Sequence, residues 1–216
     1  EEMATERNIP IYEPLQGANI GLFKVLSPTL DFYKSMLIEE YGDEPEERGL
    51  IESLKNALDA GKEFIARIIG ETWGMETLRE GGKTSPLNET SVIMYANIGG
   101  YGLMLTGDAG IRALTGAMDY ADANILSLNN LRFIQIPHHG SRRNVSPSLL
   151  NRLIGKPLPE GQQRASYLTA CVSASSNSTT HPRKVVTNAF LRRGASVIGT
   201  LGNTICSSHN MPQRIG

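Results

Sequence analysis

Apolar runs that stop abruptly at polar residues are the clearest pattern in the second half of this chain. Residues 103–108 read LMLTGD and residues 133–141 read FIQIPHHGS. Short apolar runs bounded by Gly or Pro are typical of buried β-strands. The first run ends at Asp108, and the second ends at His138 and His139. Because loops at strand ends commonly carry the sites of α/β folds, the pattern predicts polar chemistry at the rim of a sheet.

From Ser91 onward the pattern alternates between strand-like and helix-like segments. A hairpin is expected at Gly99-Gly100. Ser146 is a favourable helix N-cap and Pro147 follows it, so a helix is expected to begin there. The predicted strands are SVIMYANI, YGLMLTG, LRFIQIP, RASYLTACVSA and SVIGTLG, and the predicted helices are residues 109–121, the segment after Ser146, and PRKVVTNAFLRRG. This alternation predicts the α/β (α+β) fold class.

The first third of the chain follows a different pattern. Residues 8–13 and the segment FKVLSP, which ends at Pro28, look like short strands. Residues 29–80 place apolar side chains at helical spacing on both sides of the acidic turn DEPEER, which predicts a helical insertion or flap. Residues 81–90, GGKTSPLNET, are interpreted as a linker.

Composition limits the class of protein. The 216 residues allow one large domain or two small ones, and 40% hydrophobic content is enough to form a core. The net charge of −1 does not indicate a general nucleic-acid binder, although a local basic patch remains open. Cys171 and Cys206 are interpreted as reduced thiols, with a disulfide as the alternative, which predicts a cytoplasmic protein. The sequence has neither a signal-peptide core in residues 1–10 nor a run near the roughly 20 apolar residues of a membrane helix.

Asp108 and the histidine pair are the first candidate site. Imidazole is suited to Zn, Fe, Ni or Mn, and carboxylate is suited to the harder of these metals. The interval from Asp108 to His138 fits one strand–helix–strand step, so neighbouring strands would present the two ligand types side by side. Two alternatives stay open, since Asp108 could be a helix N-cap and the histidines could lie on a surface loop.

Three further residues fall close to predicted strand ends. His181 lies in TTHPRK, between a strand and a helix, where a structural histidine and a functional one are equally compatible with the sequence. Arg142 and Arg143 follow the histidine pair and could be a solvated basic turn or a phosphate clamp, because guanidinium matches phosphate bidentately. His209, near the C-terminus, is interpreted as unrelated.

Four pieces of the chain resemble the metallo-β-lactamase superfamily. The resemblance is closest to the metallohydrolase domain of the DNA-internalisation (ComEC-like) proteins and their soluble relatives. It covers about residues 86–202. The matching pieces are N-E-T-S-V-I-M at 88–94, L-M-L-T-G-D-A at 103–109, I-P-H-H-G-S at 136–141 and T-H-P at 180–182.

The resemblance implies a two-metal hydrolase. Asp108 would bridge two divalent ions, zinc or alternatively manganese, and either His138 or His139 would bind one of them. His181 would be a catalytic group, either on the substrate side or behind the metal ligands. The metals of such sites activate a bound water and stabilise charge on the attacked group. The implied substrates are phosphodiesters or related phosphate esters, nucleic-acid-like ones included, and the implied substrate-binding residues are Asn88, Ser141, Arg142 and Arg143.

The chain departs from this family at its main ligand motif, H-x-H-x-D-H, which is absent because no histidine precedes His138. The chain therefore resembles the C-terminal half of an αββα sandwich. Residues 1–28 would give strands of the sandwich, residues 29–80 the helical insertion, and residues 81–216 the half-domain. We expect the isolated chain to be inactive. We also expect a homodimer or association with the missing N-terminal half, because half a sandwich leaves one face of its sheet uncovered.

Two other hypotheses remain. The chain could be a non-catalytic binding or scaffold module that kept this fold and lost its metals, with residues 29–80 as a partner surface. It could also be an unrelated α/β protein in which Asp108 caps a helix and the histidines lie on a surface loop.

Overall fold

One mixed β-sheet organises the protein. The computed structural model describes residues 10–42, 72–162, 164 and 167–205, together with Met3 and residues 6–8. Within this part of the chain, seven strands are arranged in the order in which they occur in the sequence. They are β1 (Asn19–Ile20), β2 (Phe23–Ser27), β3 (Ile93–Ile98), β4 (Tyr101–Leu105), β5 (Leu131–Gln135), β6 (Thr169–Val172) and β7 (Ser196–Gly199). The first four strands pair antiparallel and β4 to β7 pair parallel.

Five helices accompany the sheet in the same residues. They are α1 (Leu30–Tyr41), α2 (Pro86–Glu89), α3 (Ile111–Ala123), α4 (Pro147–Ile154) and α5 (Lys184–Arg192). The helices α3, α4 and α5 connect the parallel strands, as crossover connections require. This architecture confirms the predicted α/β (α+β) fold class.

The hydrophobic core lies between the sheet and helices α3 to α5. On α3, the apolar side chains at helical spacing are buried, among them Leu114 and Met118. They belong to one cluster with Met104 of β4, Ile134 of β5 and Phe190 of α5. The well-formed core fixes the parallel strands, and with them the loops that follow their carboxyl ends.

The opposite face of the sheet is less well covered. Leu103 pairs with Phe133 across β4 and β5, and Gln135 pairs with Cys171 across β5 and β6. These positions alternate with core residues such as Met104, and they are only half-buried. Cys171 is a free thiol whose pKa is raised by burial, and Cys206 lies outside the described residues.

Hydrophobic patterning located most elements, with three differences. The described residues of 8–13 form no strand, because Pro10 and Pro14 restrict the backbone and remove donors. The predicted linker 81–90 contains helix α2, which begins at a Ser85 cap followed by a proline. In the predicted insertion, α1 is helical as expected, residues 72–80 form no helix or strand, and 43–71 lie outside the described residues.

Among the described helices, none combines the length and the apolar character needed to cross a bilayer.

Candidate functional site

Loops at the carboxyl ends of three parallel strands converge at one rim of the sheet. Asp108 follows β4, the histidine pair follows β5, and His181 follows β6. The backbone N–H of His138 donates to the carbonyl of Gly107 at 3.1 Å, next to Asp108. The ring of His138 lies 5.9 Å from that of His139 and 6.3 Å from that of His181, measured between centroids. The structure therefore brings the three histidines together, with Asp108 in the adjoining loop.

The histidine pair has an unusual backbone. His138 and His139 have φ values of 46° and 54°, in the left-handed region that residues with a Cβ rarely adopt. Gly140 follows with φ of 80°, and a Cβ there would lie 2.8 Å from Cβ of Pro182. The backbone N–H of Arg183 donates to the Gly140 carbonyl at 3.1 Å, which joins this turn to the His181 loop. Local strain of this kind is concentrated at functional sites.

Hydrogen bonds from neighbouring segments fix the loop that carries Asp108. Gln135 accepts at Oε1 from the backbone N–H groups of Thr106 at 3.1 Å and Gly107 at 3.2 Å. The hydroxyl of Ser91 accepts from the backbone N–H of Asp108 at 3.2 Å. The N-cap position of α3 is Gly110, so the alternative interpretation of Asp108 as a helix N-cap is wrong.

Asn144 links the two loops and was not identified from the sequence. Its Nδ2 donates to the carbonyl of Asp108 at 2.8 Å and to that of Ala109 at 3.2 Å. The side chain is buried, and its Oδ1 has no hydrogen-bond partner among the described residues. Its two donated bonds hold the backbone of Asp108 against the histidine turn.

The hydrogen bond of His139 leaves one ring nitrogen available for a metal. Nδ1 of His139 lies 2.6 Å from the carbonyl oxygen of Ser173. A carbonyl only accepts, so Nδ1 carries the proton and Nε2 keeps a lone pair in the neutral ring. The ring is exposed. Of the two histidines between which the sequence left the choice open, His139 is the one whose tautomer suits a ligand.

The surroundings of His181 are positively charged. Its Nδ1 lies 3.0 Å from the hydroxyl of Thr180, and its backbone N–H donates to the Ser178 hydroxyl at 2.9 Å. Burial lowers the pKa of His181, and the charge of the neighbouring Arg183 lowers it further. A group with these neighbours favours the approach of an anion.

The predicted substrate-binding residues take different positions. Asn88 contacts His138, with 2.9 Å between its Nδ2 and the ring Nδ1. Ser141 is buried, and its hydroxyl accepts from the backbone N–H of Arg143 at 3.3 Å, so it shapes the turn. Arg142 and Arg143 are half-buried beside this turn.

The types of side chain at the rim suit a metal, but too few of them are arranged around one ion. Imidazole and carboxylate are ordinary zinc ligands. Among the described residues, no group of three or more His, Cys, Asp or Glu side chains is arranged to hold an ion. A two-metal centre therefore does not fit the described residues alone.

Comparison with protein-family models, curated proteins and solved structures found no match to this chain. The residues at the rim therefore carry the functional conclusion.

Proposed function

We propose that this chain carries part of the active site of a metal-dependent hydrolase of the metallo-β-lactamase type. The observation that supports it most is the stacking of His138 and His181, whose ring centroids lie 6.3 Å apart although the two residues follow different strands. The backbone hydrogen bond from His138 to Gly107 brings the loop that carries Asp108 next to the histidine turn. Convergence of imidazoles and a carboxylate at strand ends is the arrangement that the resemblance in the sequence implies.

The site would hold a divalent ion, zinc or alternatively manganese. Among the described residues, Asp108 and the Nε2 atom of His139 would hold it. When bound, such an ion lowers the pKa of a bound water and stabilises charge on the attacked group. The complete site needs further ligands for two ions, so the isolated chain binds metal weakly and does not turn over substrate.

The substrate class is a phosphodiester or a related phosphate ester. Arg142, Arg143 and Arg183 lie in the loops that meet at the rim, and guanidinium groups pair well with phosphate oxygens. The whole chain has a net charge of −1, so this positive charge is local. His181 is on the substrate side, where its lowered pKa keeps the ring neutral at physiological pH.

Equilibrium dialysis against Zn²⁺ tests the proposal on the full chain. We expect Asp108→Asn and His139→Ala each to weaken zinc binding by more than about tenfold, because even outer-shell partners contribute 10- to 100-fold. His209→Ala is the matched histidine control and should bind as the wild type does. Equal binding by the wild type and both site variants would refute the proposed ligands.

Hydrolysis assays test the reaction class. When the polypeptide that supplies the remaining metal ligands is present, we expect metal-dependent cleavage of bis(4-nitrophenyl) phosphate. A chelator should abolish this cleavage. Absence of metal-dependent product from the complete protein across phosphodiester, lactam and thioester substrates would contradict a hydrolase.

The half-buried sheet face around Leu103 and Phe133 supports association, either as a homodimer or with a polypeptide that completes the sandwich. Sedimentation equilibrium of the full chain should show a species larger than a monomer. A strict monomer at all concentrations would contradict the homodimer. The free thiol of Cys171 supports a cytoplasmic location.

A second candidate is a non-catalytic binding module that kept the fold without its metals. The observation that favours it is the lack, among the described residues, of three side chains arranged around one ion. Zinc binding that depends on Asp108 and His139 would exclude this candidate. A folded protein that binds no metal, even together with the polypeptide that completes the sandwich, would support it.

A further inference from the structure

Asn88 makes a contact that neither metal binding nor charge explains. Its Nδ2 lies 2.9 Å from Nδ1 of His138, across a sequence separation of 50 residues. The same Nδ2 lies 2.7 Å from the hydroxyl oxygen of Thr84. An amide NH₂ group has two donors and no acceptor, so Asn88 donates both bonds. Nδ1 of His138 is then the acceptor, and the proton of the neutral ring sits on Nε2.

His139 has the opposite tautomer. The carbonyl of Ser173, 2.6 Å from its Nδ1, can only accept, so the proton sits on Nδ1 and Nε2 keeps its lone pair. Two adjacent imidazoles therefore present different groups. A lone pair can bind a cation, whereas an N–H can only bind an acceptor such as a phosphate oxygen.

Both partners of the Asn88–His138 bond are held by their backbones. The hydroxyl of Ser85 accepts from the backbone N–H of Asn88 at 3.3 Å, at the cap of α2. The next residue, Glu89, is buried and accepts at 2.8 Å from the backbone N–H of Ala113 in α3. His138 is fixed by its bond to Gly107. The Asn88 amide is thus held by a fixed helix next to an imidazole whose backbone is fixed as well.

The environment of the His138 ring suits an anion. The ring of His181 lies 6.3 Å away, in nearly parallel orientation, with an interplanar angle of 26°. Arg183 bonds through its backbone to the same turn, and its charge is one of the causes that lower the pKa of His181. An Nε2–H group beside this positive charge can donate a hydrogen bond to an anion.

We propose that Asn88 is a positioning residue that holds His138 in the Nε2–H tautomer, so that His138 donates a hydrogen bond to a phosphate group bound at the rim. The proposal rests on the proposed function for the identity of the anion, and on the hydrogen bonds alone for the tautomer. In this proposal the two adjacent histidines have different roles, because His139 binds the metal and His138 donates to the phosphate.

Nuclear magnetic resonance of the full chain measures the tautomer directly. Two-bond ¹H–¹⁵N correlation spectra distinguish the protonated from the unprotonated ring nitrogen, at about two pH units above the ordinary histidine pKa of about 6.5. His138→Gln and His139→Ala assign the signals. We expect Nε2–H for His138 and Nδ1–H for His139. An Nδ1–H tautomer at His138 in the wild type would overturn the proposal.

Asn88→Asp tests the cause. A carboxylate only accepts, so it should reverse His138 to the Nδ1–H tautomer and leave His139 unchanged, which also shows that the rim is still folded. Asn124→Asp is the matched control, since the exposed Asn124 donates to the Tyr120 carbonyl at 2.8 Å away from the rim. An unchanged His138 tautomer in Asn88→Asp would show that Asn88 does not set it.

Titration with inorganic phosphate tests the consequence. We expect a saturable shift of the His138 signals in the wild type and about tenfold weaker binding in Asn88→Asp, as loss of one hydrogen bond to a charged group predicts. Equal phosphate binding by the two proteins would overturn the donor role. Zinc binding by the wild type is a separate measurement. If the wild type shows the expected tautomers of His138 and His139 but binds no zinc, the proposed function is refuted and the role of Asn88 remains.

Discussion

The carboxylate of Glu89 accepts a hydrogen bond of 2.8 Å from the backbone N–H of Ala113, in the first turn of α3. The N-cap residue of that helix is Gly110, so the negative charge that stabilises its N-terminus is supplied from α2. A Cβ at Gly110 would run directly into this carboxylate. The contact ties the helix that carries Asn88 to the helix that follows Asp108, and it therefore supports both sides of the site.

Removing this carboxylate should destabilise the fold. We expect Glu89→Ala to lower the free energy of unfolding by about 1–3 kcal/mol, because the buried N–H of Ala113 loses its acceptor. Urea denaturation measures the change. The exposed Glu160 provides the control, and Glu160→Ala should stay within about 0.5 kcal/mol of the wild type. Equal losses in the two variants would contradict the capping role.

Glu89 should also make the stability of the protein depend on pH. Burial raises the pKa of Glu89 above 4.5, against the opposing effect of its hydrogen bonds. The folded protein therefore holds this proton at pH values where the unfolded chain has released it. The stability that this provides is complete below 4.5 and is lost as the pH rises through the folded pKa. Relative to Glu89→Gln, wild-type stability should fall across that window, and parallel curves would contradict the prediction.

Arg193 should be the most sensitive arginine of the described chain. Its buried guanidinium pairs with Glu76 at 2.7 Å and bonds to Asn151 at 2.9 Å. We expect Arg193→Ala to cost about 3–5 kcal/mol in free energy of unfolding, as breaking a buried pair does. Arg152 is the matched control, because its pairs with Asp119 and Asp122 are exposed and should contribute about 0.2–1 kcal/mol. Similar losses for Arg193→Ala and Arg152→Ala would show that burial is not decisive here.

Replacing two glycines by alanine should change the stability of the protein in opposite directions. Gly140→Ala places a Cβ at a φ of 80° and 2.8 Å from Pro182, and it should destabilise the protein by about 1–2 kcal/mol. Gly116 lies inside α3 with open space around its Cβ position, so Gly116→Ala should stabilise by about 0.4–1 kcal/mol. Thermal unfolding of both variants checks the pair. A stabilising Gly140→Ala would mean that the histidine turn does not need a left-handed glycine.

The elements that follow from local periodicity were predictable. The Gly99-Gly100 hairpin, the strand at LRFIQ and the helix that begins after Ser146 are confirmed, since each depends on neighbouring residues in the sequence. The strand predicted at residues 8–13 shows the limit of this approach, because the described residues of that segment form no strand where Pro10 and Pro14 restrict the backbone.

The internal hydrogen bonds of the site were not predictable. The sequence left a helix N-cap open as an alternative to metal binding by Asp108, but the carboxylate at the N-terminus of that helix is Glu89, a residue inside the predicted linker 81–90. Asn88 was expected to face the substrate, and its amide contacts His138. Asn144 was missed entirely. Periodicity shows which face a residue occupies, but it does not show which distant backbone group its side chain will meet.

The most direct test of the account is the position of a zinc ion. Crystals of the full chain loaded with Zn²⁺ should show an anomalous difference peak about 2.0–2.2 Å from a carboxylate oxygen of Asp108 and about 2.0–2.1 Å from Nε2 of His139. A peak bound by other residues, or none at the rim under conditions where zinc binding is saturated in solution, would contradict the shared site of these two residues.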